Sequence, residues 1–248
     1  MKIGWCAPLK DAGLIKEAGY DYIELPLAAQ NFAPAARIAS PLPVGAFNTF
    51  FPQAMRIVGP DVDEAKLDNY LARAAEIMEN VGAKAAVMGS AWARNVPDGF
   101  DRKRAEDQIV RALDRIADRL KGTGVTLAIE PLHRQESNII NSVAEGVAFA
   151  RRVNRPEIRV LADFFHMDEE DEPLDTLREN RDWIVHIHLA DTGRRNPGTG
   201  SYPYGRFLGL LKEIGYAGMM SAECKITDPA ADMRHSQAFL RRHWSNGS

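Results

Sequence analysis

Eight short apolar runs, each followed by an amphipathic or polar stretch, recur along the whole chain, and this alternation limits the fold more than any other feature. The candidate strands are residues 2–7, 22–26, 44–50, 83–89, 125–131, 158–163, 184–190 and 218–223. Helical stretches fall at 10–18, 62–81, 101–121, 143–152, 173–179, 204–214 and 228–244, with a weaker one around 28–39 that Pro34 interrupts. Gly19, Gly82, Gly122 and Gly215 close four of these helices, where a left-handed residue terminates the last turn. Eight such units leave two architectures, a closed barrel or a doubly wound open sheet. No Gly-x-Gly-x-x-Gly follows the first strand and no Walker sequence occurs, so the closed barrel is favoured. The expected fold is α/β, one (β/α)8 TIM barrel domain over 1–248, close to the roughly 250 residues usual for that architecture. No Gly-, Ser- or Pro-rich linker divides the chain.

Composition excludes more than it names. The start, MKIGWCAPLKDAG, turns polar too early for a secretory signal, and no run nears the roughly 20 apolar residues of a membrane span. Cys6 and Cys224 are the only cysteines, too few for a disulfide framework or a cysteine zinc site. A cytoplasmic protein without a membrane partner is expected. Net charge is −3, and the densest basic stretch, from Arg102 to Arg119, is interleaved with Glu106, Asp107, Asp114 and Asp118. That is a solvated helix face, not the uncompensated stripe that nucleic acid requires.

The chemistry lies at the ends of the last four strands. In such barrels the reacting groups sit at the C-terminal strand ends, where the βα loops open. VTLAIE ends at Glu130, IRVLAD ends at Asp163, IVHIHLAD carries His188 near its end, and GMMSAE ends at Glu223. A lone carboxylate there is most often a salt-bridge partner or a helix N-cap. Four candidate ligands on consecutive strands, only about 4.8 Å apart, converge on one small volume. Left without a cation, that much buried negative charge would be costly. Three carboxylates and one imidazole make a hard site for a single divalent metal, Mn²⁺ first, with Mg²⁺ or Co²⁺ as alternatives. Zinc would ask for more His or Cys ligands.

The segments Glu130-Pro-Leu-His-Arg-Gln-Glu136, Asp163-Phe-Phe-His166, His186-Ile-His188-Leu-Ala-Asp-Thr-Gly-Arg194 and Ser221-Ala-Glu223 resemble the xylose isomerase-like barrels, and within them the ketose 3-epimerase and sugar isomerase/epimerase branch. The resemblance runs from about Val125 to Cys224, and more loosely back to Gly19-Tyr-Asp-Tyr-Ile-Glu24. It implies Glu130, Asp163, His188 and Glu223 as metal ligands, Glu130 and Glu223 also as the acid/base pair, and His166, Arg194 and Glu136 as holders of substrate oxygens. His133 departs from the pattern, which often has Asn after Glu-Pro-Leu. The first histidine of the chain is His133, so the early histidines of a trinuclear-zinc DNA-repair member are absent.

A metal-chelated hydroxyketone would lose its α-proton to one glutamate through an enediolate, the cation acting as Lewis acid. Return from the other glutamate to the opposite face epimerises the centre; return to the neighbouring carbon isomerises the sugar. His166 is placed to polarise the carbonyl, or else is a helix-start histidine bonded to a backbone carbonyl. Glu136 binds substrate or pairs with Arg134, and Arg194 meets a sugar oxygen or lies in solvent. Asn48 and Trp92 follow the third and fourth strands and are candidate pocket residues, although Trp92 also suits a core or oligomer contact; Arg94 is a further candidate. Glu24 reads as a structural salt-bridge partner, and His186 as a buried histidine one layer below His188. A small sugar or keto-sugar, without a phosphate-cradling loop to suggest a phosphorylated one, is the expected partner, and the barrel is expected to self-associate. Two rivals share the residues: a lyase or dehydratase acting on a 3-keto-glycoside or inosose, and a non-catalytic metal-binding subunit that needs a partner chain.

Overall fold

In the computed structural model, which describes residues 1–33 and 37–246, eight parallel strands close into a barrel in sequence order. They are β1 (Lys2–Cys6), β2 (Tyr22–Pro26), β3 (Val44–Asn48), β4 (Ala85–Met88), β5 (Thr126–Ile129), β6 (Ile158–Asp163), β7 (Ile184–Leu189) and β8 (Met219–Ala222). The pair that decides between barrel and open sheet is β1 with β8, whose register runs from Lys2 opposite Met219 to Trp5 opposite Ala222. All eight expected strands are present, several a residue or two shorter than their apolar runs, because pairing stops where the chain turns outward.

The helices are α1 (Ala12–Glu17), α2 (Glu64–Asn80), α3 (Ala91–Arg94), α4 (Arg102–Leu120), α5 (Val143–Val153), α6 (Phe164–Glu169), α7 (Asp175–Glu179), α8 (Tyr204–Glu213) and α9 (Pro229–Asn246). Their starts are chemical. Asp63, Asp101 and Ser142 each accept a backbone N–H from the first turn of α2, α4 and α5, satisfying donors that the helix itself cannot. In α4, Ala105, Ile109, Ala112, Leu113, Ile116, Ala117 and Leu120 form the buried stripe that seats the helix on the barrel. The four anticipated glycine stops all have positive φ, from +69° to +86°. The weak helix expected around 28–39 lies partly outside the described residues; within them, Leu27–Ala29 form one 3-10 turn and no α-helix follows.

Alternation along each strand divides outward from inward residues. Ile3, Trp5, Ile23, Leu25, Ile187 and Leu189 face the helices in the main core. Inside, the floor of the barrel is filled by the ring of Tyr22, packed with Ala46, Ala85 and Met219. Gly4 and Gly45 make that possible, since a Cβ on either would lie 2.3 or 2.5 Å from the ring. Val87, Ala128 and Leu161 form a second interior cluster, packed with Val185.

Candidate functional site

Along β5 to β8 a buried residue of the inner face sits two positions before each polar group: Ala128 before Glu130, Leu161 before Asp163, His186 before His188, Ser221 before Glu223. The period of two therefore carries those polar side chains to the inner face at the C-terminal mouth. His188 Nδ1 lies 3.1 Å from Glu130 Oε1, 3.5 Å from Glu223 Oε2 and 4.0 Å from Asp163 Oδ2. The four ligand atoms all fall within 4.8 Å of one another. Glu130, Asp163 and His188 are buried, while the Glu223 side chain keeps 23% exposure toward the mouth. Asp163 divides its carboxylate. Oδ1 caps α6 by accepting the N–H of Phe165 at 2.7 Å and of His166 at 3.3 Å, and Oδ2 turns toward His188.

These residues fit a divalent cation by donor chemistry and by shape. The Glu130 carboxylate folds over the backbone of Gly89, where a Cβ would lie 1.7 Å from Oε2. Burial pushes the Glu130 carboxyl up, His188 opposes the rise, and Glu223 and Asp163 add to it. Burial would also raise Glu223, but His188 and Arg194 bring it down to about 2. For His188 the desolvation that would lower its proton affinity is outweighed by Glu24, Cys6 and Glu223, leaving it well above the usual imidazole range. Among protein groups, compensation of the three carboxylates thus falls to His188 and Arg194. The opposite nitrogen of His188, Nε2, bonds Glu24 Oε1 at 2.9 Å. A proton held there leaves the Nδ1 lone pair for a cation, the carboxylate–histidine arrangement common at metal sites.

Glu24 is the hub of a buried layer under the four groups. Its Oε2 is 2.8 Å from His186 Nε2 and accepts the Ser221 hydroxyl at 2.5 Å; Ser221 in turn meets Tyr22 Oη at 2.8 Å. Burial alone would raise the Glu24 carboxyl, but His188 and His186 hold it well below the usual range. Its role is therefore the pairing of two imidazoles, and His186 is the buried, hydrogen-bonded neighbour that its spacing predicts. Cys6, at the end of β1, brings its Sγ to 3.9 Å from His188 Nε2.

The other predicted residues separate. Asn48 donates to Glu223 Oε1 at 3.0 Å. Arg194 is in the turn after β7, with φ of +62°, and bridges Glu223 at 2.8 Å to Glu136 at 3.0 Å while lying 5.1 Å over the Phe165 ring. It is not a solvent arginine. Glu136 does not take Arg134, which pairs with Glu170. His166 does not bond a backbone carbonyl through its ring; it lies against His133. Trp92 is half-buried and donates its indole N–H to the Pro52 carbonyl at 3.1 Å. Arg94 is turned away from the pocket expected for it: it is fully buried and donates to the carbonyls of Met88 and Glu130, tying the ends of β4 and β5. One residue without an assigned role is Asp191, whose carboxylate accepts N–H groups of Thr192, Gly198 and Tyr202 at 2.8, 3.0 and 3.2 Å and so holds the loop that carries Arg194. Its signal is an aspartate between a strand end and the glycine-rich run Thr192-Gly-Arg-Arg-Asn-Pro-Gly-Thr-Gly200.

The chain is similar to known proteins over most of its length. The family model described as xylose isomerase-like TIM barrel matches residues 12–243. The chain is 32% identical to 3-dehydro-D-guloside 4-epimerase of Escherichia coli K12 over 200 residues, which cover 74% of each protein. It is 33% identical to D-psicose 3-epimerase of Agrobacterium fabrum over 135 residues, 54% of this chain and about half (47%) of that protein. The crystal structure of apo 3-keto-D-glucoside 4-epimerase from E. coli superposes with a TM-score of 0.84 at 26% identity, covering 98% of this chain and 99% of that one.

Proposed function

The chain belongs to the xylose isomerase-like TIM barrel family, and from that premise we propose that it is a divalent-metal-dependent sugar epimerase acting next to a carbonyl through an enediolate. The observation that carries this reading is the convergence of Glu130, Asp163, His188 and Glu223, one from each of four consecutive strands, within 4.8 Å. Relatives named as epimerases of a keto-guloside and of psicose support a ketose or keto-sugar as the substrate class.

Glu130, Asp163, His188 through Nδ1, and Glu223 would hold the ion, and an oxygen-rich set of this kind suits Mn²⁺, with Mg²⁺ or Co²⁺ as alternatives. Bound there, the cation supplies Lewis acidity to the oxygens at the carbons that react. Glu130 and Glu223 come from strands three apart around the barrel, so they approach a sugar from different sides. One takes the proton from the carbon beside the carbonyl, and the other returns a proton to the opposite face. Arg194, spanning Glu136 and Glu223, orients the reacting carboxylate and a substrate oxygen. Asn48 fixes the second oxygen of Glu223. His166 offers a ring nitrogen beside Asp163 to a substrate oxygen.

The test is proton NMR in D₂O on a panel of ketoses and 3-keto-glycosides, with metal removed before recording. Metal-dependent deuterium uptake beside the carbonyl, with inversion at that carbon, is expected from the wild type. Glu223→Gln should slow it by roughly 10²–10⁴, the usual worth of a positioned acid or base. An enone or released aglycone would replace the epimerase reading with a lyase. Absence of exchange from every sugar would reject the substrate class.

A further inference from the structure

His133 and His166 sit side by side above the site, each three residues past a candidate ligand: His133 past Glu130, His166 past Asp163. Their rings meet edge to edge, with centroids 4.9 Å apart, 26° between planes and Nδ1 atoms 2.7 Å apart. The backbone N–H of His133 also points at His166 Nδ1, at 3.3 Å. A backbone N–H can only donate, so that nitrogen of His166 carries a lone pair. Two lone pairs at 2.7 Å would repel, so Nδ1 of His133 must carry the proton that bridges them. Both donors converge on one nitrogen, and the proton of His166 is left on Nε2. That Nε2 is buried, lacks a hydrogen-bond partner among the described residues, and lies 3.8 Å from Asp163 Oδ2, beside the four converging groups.

We propose that His133 is a positioning residue that keeps the proton of His166 on Nε2, so that His166 presents a donor and never a lone pair to a substrate oxygen. The role of the substrate oxygen rests on the epimerase reading; the tautomer does not. Burial, then the adjoining His166, lowers the proton affinity of His133. A donor held in this way stabilises negative charge developing on oxygen without giving up its proton, as a neutral imidazole electrophile does. Asn, which stands at position 133 in the related pattern, would offer the donor from only one of its two amide orientations.

The experiment is ¹⁵N NMR of the Mg²⁺-loaded protein labelled at histidine, with His166 assigned by its loss in His166→Gln. The wild type should show His166 Nδ1 unprotonated and Nε2 protonated. His133→Asn should keep that pattern, and His133→Leu should blur it into a tautomer mixture. In turnover, His133→Leu should lower kcat by about tenfold, less than the roughly 10² lost when an oxyanion donor itself is removed, with His133→Asn restoring most of it. A proton on Nδ1, or a doubly protonated His166, in the wild type would overturn the proposal. So would a His133→Leu protein with unaltered spectrum and kcat. If His133→Leu does not fold, the wild-type and His133→Asn spectra still decide. If no sugar reacts, the spectra read the tautomer all the same, so the two readings fail separately.

Discussion

The two halves of the barrel contribute different things to the same site. The ends of β5 to β8 carry the four groups that converge, Glu130, Asp163, His188 and Glu223. The ends of β1 to β4 carry groups that each touch one of those four: Cys6 and Glu24 at His188, Asn48 at Glu223, and Gly89 beneath Glu130. One half supplies charge and the other supplies orientation. The comparison teaches that a residue with no reactive atom, such as Gly89, can matter as much as a ligand.

The sharpest way to break that comparison is Gly89→Ala. A methyl group 1.7 Å from Glu130 Oε2 must drive the carboxylate out of its place. Displacement by an ångström costs about 10²-fold in rate, so kcat/KM should fall by at least about that factor, with metal affinity falling alongside and circular dichroism unaltered. Wild-type rates and metal titration would show that the first half does not orient the second. Glu24→Gln comes next. The amide keeps an acceptor for only one of two imidazoles, and loss of such a supporting carboxylate typically lowers metal affinity by about 10–100-fold. Calorimetric titration with Mn²⁺ checks it, and an unchanged affinity would reduce Glu24 to a packing role. Asn48→Ala should do least. Glu223 loses one of its two donors but retains Arg194. Glu223 is 23% exposed, which puts this bond at the low end of the about 1.5–3 kcal/mol that a hydrogen bond to a charged group is worth, so kcat/KM should drop by roughly tenfold, with KM for the sugar nearly unchanged.

The same contrast explains what the sequence made legible. An ionisable residue after an apolar run is visible one strand at a time, so all four converging groups could be read from strand periodicity, while the closed barrel needed the absence of nucleotide-binding glycine motifs as well. Asn48 was within reach because it stands at a strand end, whereas Arg194 and Glu136, five and seven residues past theirs, were legible only through the resemblance. Glu24 was visible as a structural partner but not with the groups it pairs, because its two imidazoles are more than 160 residues away and are reached only through closure of the barrel. Arg94 misled for the opposite reason. A loop arginine near a mouth is ordinarily free for substrate, yet this one is turned inward onto the carbonyls of Met88 and Glu130. The helix α6 is legible only as a helix start at His166, because it is six residues long and begins at Asp163, which also ends the strand pattern.

The filled floor has a consequence for traffic. Tyr22 closes the barrel across Gly4 and Gly45, and Val87, Ala128 and Leu161 occupy the space above. Whatever enters the site therefore leaves through the same door, the rim where Glu223, Arg194 and Glu136 keep contact with water. Arrivals and departures queue for one opening, so product and substrate exclude each other at every turnover. A catalyst built in this way imposes no direction of its own: the cell sets the direction by whichever sugar it removes.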